Sequence, residues 1–148
     1  MDLQSSRSSS YHCAFCEFVA DSRLCPWLIR AANKTLAFFP DKPVAIGHVL
    51  VIPVKHASYI WDLADDDLCA LISEVKLIAQ RVASAIAPSG VNIIQSNGES
   101  AEQSVRHVHF HIVPRYEDDG IYPIWPDSPE ISDVSKTRAL RLMKSMVD

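Results

Sequence analysis

His107-Val108-His109-Phe110-His111-Ile112-Val113 sets imidazoles and apolar side chains in strict alternation. In a strand, alternate residues share a face, so the three imidazoles line one side over roughly 13 Å while Val108, Phe110 and Ile112 enter the core. A solvated outer face is served as well by Thr, Lys, Glu or Ser, so three imidazoles in register point to chemistry. Two readings follow from the residues alone. One is metal binding, because alternate strand histidines can converge on zinc or iron with a carboxylate completing the site. The other is nucleophilic catalysis by one histidine, with its neighbours fixing its tautomer and the charge of an intermediate.

Working outward, Val105 to Val113 reads as a strand ended by Pro114, pairing with a strand at Val91 to Gln95. Between them Ser96-Asn97-Gly98-Glu99-Ser100-Ala101-Glu102-Gln103-Ser104 forms a loop rich in amide and hydroxyl groups suited to phosphate oxygens. Upstream, Leu68, Leu71, Ile72, Val75, Ile78, Ala79, Val82 and Ile86 recur at helical spacing, with Glu74, Lys76 and Arg81 outside the stripe. That predicts an amphipathic helix over about residues 65 to 87. Asp65, Asp66 and Asp67 favour its dipole at the start, and Pro88 with Gly90 ends it.

Earlier still, Trp27 to Arg30 and Thr35 to Phe39 read as strands flanking an Asn33-Lys34 hairpin tip. Pro40 to Gly47 reads as a loop, and His48 to Val54 as a third strand. Tyr11 to Val19 is a short apolar stretch with at most a turn of helix. Beyond the histidine strand, Gly120, Pro123, Pro126 and Pro129 break the segment from Glu117 to Pro129 before a helix from about Val134 to Val147. The pattern predicts an α+β fold: a mostly antiparallel five-stranded sheet with a long central helix and a C-terminal helix.

Composition narrows the function classes. A 148-residue chain with 48% hydrophobic residues suffices for one self-supporting domain, and no apolar run nears the ~20 residues of a membrane helix. The formal charge of -4 argues against general nucleic-acid binding, which is dominated by Lys and Arg, but leaves a small phosphate ligand open. Four unevenly placed cysteines do not make a disulfide framework, and a cytoplasmic setting is expected. Residues 1 to 11 read as a disordered tail ahead of a domain spanning 12 to 148.

The histidine stretch resembles the histidine-triad signature of the HIT superfamily of nucleotide hydrolases and transferases. Gly47-His48-Val49-Leu50-Val51-Ile52-Pro53 is similar to that family's other recurrent strand. Gln103-Ser104-Val105 resembles its lead into the triad, and Pro114-Arg115 its exit. The resemblance implies a nucleophilic imidazole at His109, attacking an α-phosphorus to give a nucleotidyl-histidine that water or another acceptor resolves. By the same resemblance His111 contacts phosphate, Ser96, Gln103 and Ser104 face phosphate or leaving group, and His48 completes the site. Asn97 joins the nucleotide-binding set, and Phe15, Phe18 and Phe38 match an apolar base pocket. Where many relatives hold the ribose with Asp or Asn this chain has Pro40, with Asp41 adjacent; Glu102 stands where a small residue is usual.

Cys13 and Cys16 supply half a tetrahedral site. The resemblance to the zinc-containing, mainly bacterial branch implies that His56 and His107 complete a structural zinc site, while Cys25 and Cys69 pack. It also implies a homodimer through the helix at 65 to 87 and a sheet edge, with Trp61 and Trp125 as candidate interface aromatics. If in such a dimer Tyr116 to Pro129 reaches toward the partner's pocket, that segment helps choose the substrate. The expected ligand is a purine nucleotide or nucleotide conjugate: a nucleoside phosphoramidate, a nucleotide ester or a dinucleoside polyphosphate. Two alternatives stay open, a nucleotide-sensing or scaffold protein with incidental turnover and a metalloenzyme using all three strand histidines as ligands.

Overall fold

The computed structural model describes residues 12–121 and 131–146, so the expected tail at 1–11 and Trp125 lie outside it. Strands β1 (Leu28–Ala31) and β2 (Thr35–Phe38) form an antiparallel pair around Asn33-Lys34. They are followed by β3 (Val49–Pro53), β4 (Gly90–Gln95) and β5 (Phe110–Arg115). The sheet order is β1-β2-β3-β5-β4 and every pairing is antiparallel. With helices α1 (Ala14–Ala20), α2 (Asp65–Ile86) and α3 (Asp133–Lys144), this is the expected α+β architecture. No helix among the described residues is long and apolar enough to cross a membrane.

Helix α2 covers one face of the sheet. Leu71, Val75, Ile78 and Val82 pack against Ala37, Val49, Val51, Phe110 and Ile112, the side chains that alternation in three different strands sends to that face. The acidic triplet occupies the first turn, where carboxylates favour the dipole, and Asp67 also accepts an ion pair from Lys34 at 2.9 Å. Three expectations fail here. Glu74 is buried rather than solvated, because Arg30 Nε on β1 reaches its carboxylate at 2.8 Å. Ile72 is exposed, since a 22-residue helix on a twisted sheet covers a narrower stripe than its apolar positions offer. Cys69 is exposed rather than packed, whereas Cys25 is buried as expected. The helix stops one residue before Ala87, which takes the left-handed conformation itself, and Gly90 already opens β4.

The opposite face is covered too, and that revises the reading of the histidines. Leu36, Phe38, Leu50 and Ile52 form a second core with Cys13 and Phe15, carried in by α1, a two-turn helix rather than a single turn. Strand β3 is therefore buried on both faces. His107 is fully buried and His109 is 2% exposed, so these two imidazoles do not face solvent, while His111 is half-buried.

Regular β5 begins at Phe110, five residues later than the alternation predicts. His107 N–H bonds to Val105 C=O at 2.9 Å and Val108 N–H to Ala57 C=O at 2.8 Å, taking the backbone out of the ladder until Gln95 pairs with Phe110. Nor does Pro114 end the strand. It pairs with Val91 beyond Ile112, the last residue with a β3 partner, where β5 has one neighbour and a missing N–H is tolerated.

Candidate active site and metal cluster

A cavity of about 600 Å³ opens between α1, the loop after β2 and the histidine segment. Phe15, Phe18 and Phe38 form one wall, in edge-to-face or tilted contacts with centroids 5.5 to 6.3 Å apart. His48, Ser104, His109 and His111 line the same cavity, with the His109 ring 5.5 Å from that of Phe15, and Pro40 and Asp41 are also on its wall. These expected site residues are thus brought together from segments more than ninety positions apart.

Backbone groups set the tautomer of each imidazole, because an amide N–H only donates and a carbonyl only accepts. His109 Nδ1 lies 2.7 Å from His107 C=O and must carry the proton, which leaves a lone pair on Nε2. Val44 N–H donates to His48 Nδ1 at 3.2 Å, so the His48 proton sits on Nε2. That proton is donated to His111 Nδ1 at 2.9 Å, leaving His111 with an Nε2–H. The ring pairs His48–His111 and His109–His111 lie 5.2 and 5.0 Å apart.

Burial keeps the set neutral. It lowers His48 and His109 below the ordinary histidine value, and in His109 the bond to His107 C=O only partly opposes it. Burial, then the neighbouring His109 and His48, push His111 down to about 4. The constellation therefore pairs an unprotonated ring nitrogen, able to attack an electrophile, with a neutral N–H donor beside it.

Three expected ligand-facing residues are not on the cavity wall. Gln103 is buried, its Oε1 accepting from Gly98 N–H at 2.8 Å and its Nε2 donating to Ser58 C=O at 2.7 Å. Asn97 Oδ1 accepts from Ile60 N–H at 2.9 Å while its Nδ2 donates to Gln95 Oε1. Ser96 lies on the same scaffolded loop, where its carbonyl accepts from Gln95. Amides in a polar loop read alike whether they meet a ligand or brace the loop, and here two of them brace it. Glu102 has a φ of 64°, in the left-handed region that favours glycine.

Other wall residues carry no sequence signal. Trp27, Leu50 and Val105 look like ordinary strand or loop residues, yet all three line the cavity. At the far end of β5, Arg115 Nε and Nη2 clasp the Asp119 carboxylate at 2.6 and 3.1 Å, and Nη1 donates to Asn92 at 2.8 Å. The clasp fixes the start of the Tyr116 to Pro129 segment, most of which lies outside the described residues.

Behind His109, the ligand atoms of Cys13, Cys16, His56 and His107 all fall within 4.8 Å of one another. His107 Nδ1 lies 3.5 and 3.6 Å from the two sulfurs, and His56 Nδ1 lies 3.2 Å from Cys16 Sγ. A tetrahedral zinc with ordinary bond lengths requires S···N edges of about 3.5 Å, so the donor set fits that ion. His107 Nε2 donates to Pro53 C=O at 2.9 Å, which leaves Nδ1 bare toward the sulfurs and supplies the outer hydrogen bond usual for a metal-binding imidazole. Burial, then the adjacent Cys13, push the Cys16 thiol up to about 11, so a cation entering here must displace protons.

The three strand histidines do not converge. Their Nδ1 atoms point to three different partners: the thiols, a carbonyl and His48. Among the described residues the Cys-Cys-His-His cluster is the single group placed to hold a metal, which removes the support for a three-histidine metal site.

Comparison with known proteins bears on the family to which the chain belongs. The family model described as "HIT domain" matches residues 27–118. The chain is 38% identical over 122 residues to an adenosine 5'-monophosphoramidase of Schizosaccharomyces pombe, covering 80% of this chain and 88% of that protein. It is 33% identical over 141 residues to the protein hit of Bacillus subtilis, covering 90% and 97%. Among solved structures, a HIT family protein from Bacillus anthracis superposes with a TM-score of 0.81 at 31% identity, covering 93% of this chain and 99% of that one.

Proposed function

From the premise that this chain belongs to the HIT domain family, we propose that it is a nucleotide hydrolase or nucleotidyltransferase acting at the α-phosphate of a purine nucleoside phosphoramidate or a related nucleotide conjugate. The observation that carries this reading is the His109 Nδ1–H bond to His107 C=O, which leaves the Nε2 lone pair for attack. The Schizosaccharomyces pombe relative's name supports the phosphoramidate class.

In the proposed reaction the nucleoside lies against Phe15, Phe18 and Phe38, and the phosphate lies between His109, His111 and Ser104. His109 Nε2 attacks the phosphorus. A P–N bond to the enzyme forms as the P–N bond to the leaving amine breaks, and the amine takes a proton from water. His111 Nε2–H and the Ser104 hydroxyl donate to phosphoryl oxygens on which charge accumulates. Water then attacks the same phosphorus, the bond to His109 breaks, and nucleoside monophosphate and a proton are released. Gln103 and Asn97 act by bracing the loop that presents Ser104.

We assign Cys13, Cys16, His56 and His107 to a structural zinc. Four protein ligands leave no position for a reactive water, so zinc here supplies folding energy rather than chemistry. Two copies are proposed to associate through α2 and the β4 edge of the sheet, an unpaired row of backbone groups that dimerisation would cover.

The decisive experiment incubates the protein with adenosine 5'-phosphoramidate, quenches it, and seeks a covalent adenylyl adduct by mass spectrometry. Turnover with an adduct that disappears in His109→Ala supports the proposal. Full activity in that variant overturns it, and nucleotide binding without turnover favours the sensing or scaffold reading instead.

A further inference from the structure

One short helix serves both the thiol cluster and the cavity wall. Cys13 is the N-cap of α1, Cys16 lies in its first turn, and Phe15 stands between them in the chain. Phe15 is a wall residue of the cavity, with its ring centroid 5.5 Å from Phe38, 5.8 Å from His107 and 5.5 Å from His109. His107 is shared in the same way. Its Nδ1 lies 3.5 and 3.6 Å from the two sulfurs, and its C=O accepts the Nδ1–H of His109 at 2.7 Å. A rearrangement of the sulfurs therefore acts on a residue that lines the cavity and on the residue that orients the proposed nucleophile.

The cluster also extends from the core to the surface. Cys13 and His107 are buried, Cys16 is half-buried, and His56 is exposed with its Nδ1 3.2 Å from Cys16 Sγ. A small oxidant arriving from solvent thus meets Cys16 before Cys13. The ligand atoms all lie within 4.8 Å of one another, and residues three apart at the start of a helix are neighbours, so the two sulfurs are within reach of a disulfide. Cys69, by contrast, is an exposed thiol on α2 outside this cluster, and Cys25 is buried.

We propose that Cys13 and Cys16 form an oxidative modification site, at which hydrogen peroxide joins the two sulfurs in a disulfide and thereby weakens nucleotide binding in the adjacent cavity. The proposal rests on the zinc assignment and on the reading of the main cavity given above. With the cation bound, both sulfurs are thiolates, the form that attacks peroxide. Cys16 Sγ attacks one peroxide oxygen, the O–O bond breaks, and the departing hydroxide takes a proton to leave as water, with a sulfenic acid on Cys16. Cys13 Sγ then attacks that sulfur, the S–O bond breaks, and a second hydroxide leaves as water after taking a proton. Two thiolates, one peroxide and two protons thus give one disulfide and two waters, and the two electrons lost by the sulfurs reduce the peroxide.

The disulfide leaves His56 and His107 as the remaining ligands, too few to hold the cation. The His107 ring then keeps one anchor, the Pro53 C=O that accepts from its Nε2. Joining Cys13 to Cys16 also reshapes the first turn of α1, on which Phe15 depends for its place against His109.

The test treats the zinc-loaded full chain carrying Cys69→Ser, which removes the exposed thiol of α2, with hydrogen peroxide. It follows the cysteine peptides by mass spectrometry, zinc release with a colorimetric chelator, and AMP affinity by calorimetry. The expected result is a Cys13–Cys16 disulfide, release of the zinc, and AMP binding weaker by at least about tenfold as Phe15 leaves the wall. Dithiothreitol with added zinc should reverse all three, which sets the disulfide apart from methionine sulfoxide or higher cysteine oxides. Free thiols with retained zinc after peroxide, sulfinic or sulfonic acids in place of the disulfide, or a disulfide with unchanged AMP affinity would overturn the proposal. Zinc and AMP binding are measured before peroxide is added. A chain without zinc at that stage would overturn the metal assignment and this proposal with it, and a zinc-loaded chain that does not bind AMP would do the same to the reading of the cavity.

Discussion

His48 Nε2 and His111 Nδ1 are 2.9 Å apart, and the direction of the proton between them is dictated from outside the pair by Val44 N–H. One loop amide thereby determines which nitrogen of His111 presents hydrogen. His48→Ala should free His111 to populate its other tautomer. The expected loss in kcat/KM is about tenfold to a hundredfold, with His48→Gln recovering part of it if its amide donates in place of Nε2. Nitrogen-15 spectra of the imidazoles provide the separate readout: the wild-type His111 pattern should be Nε2–H, and a tautomeric mixture in the wild type would contradict the relay.

His111 should also respond to pH in a defined direction. Its folded value, about 4, lies below the ordinary 6.5, so the unfolded chain binds the proton more readily. The stability this group contributes is full above pH 6.5 and is lost as pH falls from about 6.5 to about 4. Melting temperatures taken across that window should decline, and His111→Asn should lessen the slope. An identical slope in the variant would show that His111 does not titrate as its burial requires.

For the proposed nucleophile, His109→Ala should lower kcat/KM by at least about a thousandfold. Because His109 is buried against Phe15, with ring centroids 5.5 Å apart, the variant should also melt lower. Added imidazole entering the vacated space should restore part of the turnover in His109→Gly. Circular dichroism distinguishes lost chemistry from lost fold.

Gln103→Ala probes the bracing of the loop. Removing the two hydrogen bonds made by this buried side chain should cost about 2 kcal/mol of stability and misplace Ser104, raising KM along with lowering kcat. A variant with unchanged melting temperature and reduced kcat alone would return Gln103 to a direct role at the phosphate.

Elemental analysis of protein purified without chelator should find one zinc per chain. Cys13→Ser with Cys16→Ser should abolish it and lower the melting temperature by on the order of 10 °C. Unchanged melting would remove the metal assignment.

Much of this was legible in the chain itself. The helical stripe from Leu68 to Ile86 located α2, and strand-like runs located β1, β2 and β3, because local periodicity reflects which face is buried. What alternation could not reveal was a second covering layer. A face of histidines looks the same in a sequence whether solvent or a helix lies over it, and only the return of Phe15 and Cys13 onto that face buries His109. Gln103 and Asn97 escaped for a similar reason, since a partner such as Ser58 C=O, 45 residues away in the chain, leaves no local trace. The Arg30–Glu74 pair, spanning 44 residues, is another contact of that kind.

The covering of the histidine face by α1 also bears on the order in which the molecule takes shape. Cys13 and His107 meet across 94 positions, so the roof of the cavity and its floor belong to opposite ends of the domain. Closing a loop of that length in one step costs about 4 kcal/mol in chain entropy, whereas docking Phe15 on Phe38 first shortens what remains to be closed. As the polypeptide emerges from the ribosome, the hairpin of β1 and β2, and β3 after it, can pair at once. The first helix can lay Phe15 on Phe38 once β2 exists, but Cys13 and Cys16 lack His107 until the histidine segment has been made. The aromatic wall can thus assemble early, while the two thiols, still without His107, are open to oxidation in the interval.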